Sequence, residues 1–335
     1  MRACLILTAA MLFACDPTLP DICPPEERGC LPGGEGLQPR YVIPGDDTFP
    51  ESVTYDPRRA AFFVSSLGHG TVTRVEADGT TEVFYPGTGE ADRVTVGVEV
   101  DTLRDRLFVC TLRNVDPPAG RIWIFNLQTG ERTHDVDLST AARDANCNDI
   151  TVDSSGRAYI TDREHGIIYR LIPGDDGHAQ VNVFARDALL DPPLVGIGLN
   201  GIALTPDGDA LLAVQYLPPR LYRIDFANPA DVIEVDLDGD LLFDELLSGA
   251  DGITFFGGQL YVALGGSLVR ITADDPGWFT AHFDRLELAD ASLSGVTAAD
   301  GALYVLDSDV TRFVLGGQPD LPFELLRVDP NAFNR

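Results

Sequence analysis

The sequence predicts an all-β fold, a six-bladed β-propeller of four-stranded blades, and three observations carry that expectation. A short apolar pattern, usually with Arg in third place, recurs about every 50 residues. Its copies are Val72-Thr73-Arg74-Val75, Ile122-Trp123-Ile124, Ile168-Tyr169-Arg170-Leu171, Leu221-Tyr222-Arg223-Ile224, Leu268-Val269-Arg270-Ile271 and Leu325-Leu326-Arg327-Val328. A turn pair falls at the same place in each unit, between two alternating apolar stretches: Asp56-Pro57, Asp101-Thr102, Asp153-Ser154, Pro206-Asp207, Phe256-Gly257 and Ala299-Asp300. No stretch sustains the periodicity of an amphipathic helix, which an α/β alternation needs.

Taken in order, residues 1–14 (MRACLILTAAMLFA) carry a positive charge at Arg2, an apolar stretch and a small residue before Cys15, the layout of an export signal. Leu12-Phe13-Ala14-Cys15 resembles the lipobox of bacterial lipoproteins. That resemblance implies lipidation at Cys15 and a lipid anchor in the cell envelope, on the periplasmic or outer-membrane face. Residues 15–37 are rich in Pro and Gly and read as a tether, in which Cys23 and Cys30 are expected to pair in an oxidising compartment. Cys110 and Cys147 either bridge or remain two buried thiols.

The propeller occupies residues 38–335. Residues 38–44 (QPRYVIP) read as a strand without a blade, and the last unit stops before its fourth strand. The first segment therefore completes blade six and removes an open sheet edge. Residues 308–322 then become a loop on blade six. The blade-four run Asp236-Leu237-Asp238-Gly239-Asp240 departs from the order of an EF-hand and lacks its twelfth-position Glu, so it reads as a polar hairpin turn.

Composition excludes several functions. With 52 acidic and 24 basic residues the net charge is −28, which repels phosphate backbones, so nucleic acid is not an expected partner. Every basic residue is Arg, which removes lysine Schiff-base chemistry and Walker-type phosphate loops. A monomer acting on a small-molecule substrate is expected.

Aligning the units on their first strands produces one row at the strand entries: Glu51, Val96, Asn148, Asn200, Asp251 and Ser294. First strands line a propeller's central channel, so these side chains should converge on the axis at one end. Two carboxylates and two carboxamides offer hard oxygens with a summed charge of −2, suited to Ca2+ or another divalent cation. The row lacks thiolate and imidazole, which argues against zinc or copper. A single Asn-Gly or Asp-Gly is ordinary turn chemistry. Four matches in one register are different, because carboxylates converging on an axis are costly without a cation.

These residues also carry a resemblance. PESVTYDPRRAAFFVSS from Pro50, CNDITVDSSGRAYITD from Cys147, LNGIALTPDG from Leu199 and ADGITFFGGQLYVA from Ala250 resemble the gluconolactonase, senescence-marker-protein and luciferin-regenerating-enzyme-like family, six-bladed propellers of the calcium-dependent phosphotriesterase superfamily. The likeness spans residues 38–330. It implies that Glu51, Asn148, Asn200 and Asp251 hold the cation and that the reaction is hydrolysis of lactones or phosphoesters. Asp251 is then the first candidate for base or nucleophile. Asp149 is either a second candidate or a hydrogen-bonding group that orients Asn148. Loops joining second to third strands share the face of the row and offer substrate contacts: Ser66, Thr111, Arg163, Tyr216 and Asp307, with His69 and His165 as proton shuttles. Sugar-lactone members carry an Arg where this chain has Asn146, so gluconolactone is not expected as the substrate. The alternative is a non-catalytic, NHL-like binding or scaffold propeller with a structural calcium.

Overall fold

The computed structural model describes residues 36–89, 93–113, 119–239, 249–288 and 290–334. Cys15, Cys23 and Cys30 lie outside them. A closing strand, β1 (Arg40–Ile43), precedes blade one, β2 (Pro50–Asp56), β3 (Ala61–Ser66), β4 (Val72–Glu76) and β5 (Thr81–Tyr85). Blade two is β6 (Arg93–Asp101), β7 (Arg106–Arg113), β8 (Ala119–Asn126) and β9 (Arg132–Asp137). Blade three is β10 (Ile150–Val152), β11 (Ala158–Asp162), β12 (Ile167–Pro173) and β13 (Ala179–Arg186). Blade four is β14 (Ile197–Leu204), β15 (Ala210–Leu217), β16 (Arg220–Asp225) and β17 (Val232–Glu234), followed by a two-residue strand β18 (Asp236–Leu237). Blade five is β19 (Ala250–Phe256), β20 (Gln259–Leu264), β21 (Ser267–Ala273) and β22 (Thr280–Glu287). Blade six is β23 (Leu293–Ala299), β24 (Ala302–Asp307) and β25 (Phe323–Val328). Each blade is an antiparallel meander, and β1 pairs with β25 as the fourth strand of blade six, Arg40 opposite Leu326 and Ile43 opposite Phe323.

Burial follows each strand's place in its blade. Second strands such as AFFVSS of β3 are buried along their whole length, whereas fourth strands such as TEVFY of β5 face solvent on one side. The apolar side chains gather into six cores, one at each contact between neighbouring blades. The core joining blades six and one closes the ring. There Phe62 lies 4.9 Å from both Tyr55 and Tyr304 and 5.4 Å from Tyr41, ring centre to ring centre. Such pairs contribute about 1 kcal/mol each beyond burial, so the seam is held by side chains as well as by the β1–β25 ladder.

Cys110 of β7 and Cys147 at the entry of blade three are joined by a disulfide across a separation of 37 residues. Closing a loop of that length is worth about 4 kcal/mol in chain entropy. Urea unfolding of Cys147→Ala is expected to show a loss of that order, and an unshifted midpoint would contradict it.

Two local expectations are corrected. Residues 308–322 are not all loop: Val310–Leu315 form a helix, α1, entered through Asp309 in the left-handed region (φ 58°) and ended by Gly316 (φ 70°). The run from Asp236 is not a hairpin turn. Asp236 and Leu237 pair in parallel with Thr280 and Ala281 on the outer edge of blade five, because Val235 and Leu237 pack into the core between blades four and five. Among the described residues no helix is long and apolar enough to cross a membrane. Strand direction sets the faces: first strands enter at the face carrying the second-to-third-strand loops, and β1 begins at the opposite face.

Candidate metal centre

The row of strand entries is built by a repeated irregularity. In blade one Pro50 pairs with Ser66 and Val53 with Val64, so Glu51 and Ser52 together face Ser65. The same two-against-one step places Asn200 and Gly201 opposite Val214, Asp251 and Gly252 opposite Ala263, and Val96 and Gly97 opposite Cys110. These are β-bulges, which re-aim a side chain out of the regular pleat. In blade three Asn148 and Asp149 precede β10 and both bond Thr161: Asn148 N–H donates to its carbonyl (2.9 Å), and its N–H donates to Asp149 (3.1 Å).

The glycines that follow the row are not turn residues. A Cβ on Gly97 would sit 2.5 Å from the Asn148 carbonyl oxygen, and one on Gly201 2.4 Å from that of Asp251. Each lets the next blade's row residue come into contact with its own blade, which draws the entries together at the axis.

All four proposed donors are buried, Glu51 6%, Asn148 3%, Asn200 6% and Asp251 5% exposed. Glu51 Oε2 and Asn148 Oδ1 are fully buried and have no hydrogen-bond partner among the described residues. Burial, followed by the charges of Asp251 and Asp149, pushes the Glu51 carboxyl well above its ordinary range, and Arg163 only partly offsets this. Asp251 is raised by the same burial and by Asp149, against a hydrogen bond from Asn200 and the charge of Arg163. Two carboxylates and two carboxamides buried at neighbouring strand entries, with one carboxylate oxygen and one carboxamide oxygen orphaned, are a donor set that a divalent cation fits. No group of three or more His, Cys, Asp and Glu among the described residues could hold a metal, so a site here depends on the carboxamides of Asn148 and Asn200.

Asp149 reaches across to the neighbouring blade. Its Oδ2 accepts from Ile202 N–H of blade four (3.1 Å), and burial pushes it up to about 7. It lines the central channel, a cavity of about 700 Å3 running toward the opposite face. Glu99 lines the same channel and was not among the candidates. Burial and the Asp149 charge push it up to about 8, although Thr54 Oγ1 donates to it at 3.1 Å. It stands three residues beyond Val96, in a second ring with Thr54, Thr151, Ala203, Thr254 and Thr297. Reading that ring across the units would have revealed it.

The loop residues divide. Arg163 acts electrostatically on Glu51 and Asp251. Tyr216 is pushed up to about 12, mainly by burial and then by the Asp251 charge, with the Gly249 backbone and Thr311 of α1 partly offsetting this. The remaining contacts are already engaged. Ser66 Oγ donates to the Thr48 carbonyl (2.6 Å), and Thr111 Oγ1 accepts from Arg93. Asp307, raised by burial, accepts from Ser292 N–H (2.8 Å). His69 Nε2 lies 2.8 Å from the exposed Asp47, whereas His165 Nδ1 lies 3.1 Å from the buried Asp162.

A family model described as SMP-30/Gluconolactonase/LRE-like region matches residues 49–284. Among solved structures, the Malassezia sympodialis allergen Mala s 1 is 18% identical over 89% of this chain and 98% of its own, with a TM-score of 0.69. A gluconolactonase from Xanthomonas campestris is 18% identical over 89% and 99%, with a TM-score of 0.59. Regucalcin from Agrobacterium tumefaciens, a calcium-binding protein, is 16% identical over 87% and 95%, with a TM-score of 0.57. At these identities the likeness shows the fold alone. No curated protein matches the chain.

Proposed function

The chain belongs to the SMP-30/Gluconolactonase/LRE-like family, and from that premise we propose that it is a divalent-cation-dependent hydrolase, with calcium as the cation, acting on lactones or phosphoesters. The observation that carries the reading is the pair of buried, unpartnered oxygens, Glu51 Oε2 and Asn148 Oδ1, at the axis beside Asp251 and Asn200. These four side chains would hold the ion. When bound, a calcium ion supplies charge that polarises the carbonyl or phosphoryl oxygen of the substrate.

The protein's own groups do the rest. Arg163 lowers the cost of gathering carboxylates at the mouth. Tyr216 closes over the entry of blade five, where a Cβ on Gly249 would lie 2.3 Å from its ring. Asp251 serves as a ligand of the ion, with Asp149 behind it on the channel wall. Asn146 is 1% exposed and its Oδ1 accepts from Cys147 N–H, so no cation stands at that position for a polyhydroxylated lactone, which favours less polar substrates. Export with a lipid anchor at Cys15 belongs to the same reading, and the Cys110–Cys147 disulfide supports an oxidising compartment.

The test is turnover of a panel of aliphatic lactones, aryl esters and phosphotriesters. Hydrolysis that stops on chelation and returns with calcium, while circular dichroism stays constant, is expected. Calcium binding with no turnover across the panel would favour the scaffold reading. Turnover indifferent to chelation would remove the cation from the reaction.

A further inference from the structure

Asp162 ends β11 at the mouth and is fully buried, yet among the described residues its only ion-pair partner is a histidine. Its two oxygens accept from Asn146 N–H (3.0 Å), Glu164 N–H (2.9 Å), His165 N–H (3.1 Å) and Tyr169 O–H (2.8 Å). His165 Nδ1 completes the set at 3.2 Å from Oδ1 and 3.1 Å from Oδ2. A carboxylate only accepts, so Nδ1 carries a hydrogen, and in the neutral ring Nε2 is then the nitrogen with the lone pair.

The loop that carries His165 packs against the segments that lead into two of the proposed donors. Asn146, held by Asp162, stands two residues before Asn148. Gly198, two residues before Asn200, is packed so closely that a Cβ there would lie 2.2 Å from the Arg163 carbonyl oxygen. Gly166 (φ 59°) packs on Leu190 and Asp191, where a Cβ would lie 2.7 Å from the backbone of each. His69, in the corresponding loop of blade one, has no such seat: its side chain is 51% exposed and its partner Asp47 is 73% exposed.

We propose that Asp162 is a positioning residue that fixes the tautomer and orientation of His165, and that His165 is the group that takes and returns the proton at the channel mouth. The geometry stands alone, but the proton role rests on the hydrolase reading. In the reaction the water oxygen bonds to the acyl carbon or phosphorus, and its proton passes to Nε2. The bond from that centre to the leaving oxygen then breaks with its electron pair, and Nε2 returns the proton to that oxygen. Asp251 is thereby left to the cation.

Nitrogen-15 long-range spectra of the labelled protein, with His165→Gln used to assign the signal among five histidines, test the first half. The expected result is His165 in the Nδ1–H tautomer. An Nε2–H tautomer, or rapid averaging of the two, overturns the positioning role whether or not the protein turns over. For the second half, His165→Gln should lower kcat about 100-fold with calcium binding and KM unchanged. Asp162→Asn should lower kcat comparably and change the tautomer in the folded protein. Full activity of His165→Gln overturns the proton role while leaving the hydrolase reading intact. A wild type that binds calcium without turnover overturns both. If Asp162→Asn does not fold, the wild-type tautomer and His165→Gln still decide.

Discussion

Asp251→Asn is expected to lose calcium binding and yet, without calcium, to be at least as stable as the wild type. The first half follows from removing one of two carboxylates from a four-residue donor set, which should weaken binding at least about 100-fold. The second half is less usual, because most substitutions at a buried polar position destabilise. Here the wild-type group is the costly one: Asp251 is raised by burial and by Asp149, and Glu51 in turn feels Asp251. Neutralising it relieves both, and the Asn carbonyl can still accept from Asn200. Thermal melts with chelator and with calcium check this. A variant that melts lower in chelator, or is stabilised by calcium as much as the wild type, would count against the site.

The second large effect is on pH. Without cations, stability should fall as pH rises from about 4.5 to 8, opposite to proteins whose carboxylates are paired. Glu99 has a folded value of about 8 and Asp149 about 7, and Glu51 and Asp251 are raised in the same direction. A folded value above the unfolded one means that the folded state holds extra protons in that window. The stability they contribute is complete below the ordinary carboxylate range and is lost as pH climbs through the folded values. Glu99 and Asp149 line the channel and are half-buried rather than sealed off, so the loss is discounted for solvent screening to about a few kcal/mol in all. The acid limb is set by carboxylates of the opposite kind, such as Asp105, held low by Arg59. Saturating calcium should flatten the alkaline limb by compensating Glu51 and Asp251. Urea midpoints across pH 4.5–8, with chelator and with calcium, measure both, and chelated stability that climbs over this range would refute the sign.

The fold was legible because the signals that specify it repeat. One tetrad or one turn pair is weak, but six in register leave few alternatives to a propeller, and the unpaired strand at residues 38–44 indicated how the ring closes. The row of strand entries was legible for the same reason. What repetition does not specify was missed. Glu99 is the charged member of a ring whose other places are Thr or Ala, so the repeat does not specify it, and the row residue of its blade, Val96, gives no sign of it. Helix α1 has six residues, and its entry through Asp309 departs from ordinary capping. Strand β18 forms where its neighbours pack on another blade, which no local turn chemistry records. The glycines after Asn200 and Asp251 were visible, but their reason was not: the space they leave is filled by the neighbouring blade.

The most direct test of the central claim is a calorimetric titration of the chelator-treated protein with calcium near pH 7, in two buffers of different ionisation enthalpy. One site per chain is predicted, with protons released on binding because Glu51 and Asp251 are raised in the cation-free protein. No binding heat in either buffer would contradict the site at Glu51, Asn148, Asn200 and Asp251, and the hydrolase reading would fall with it.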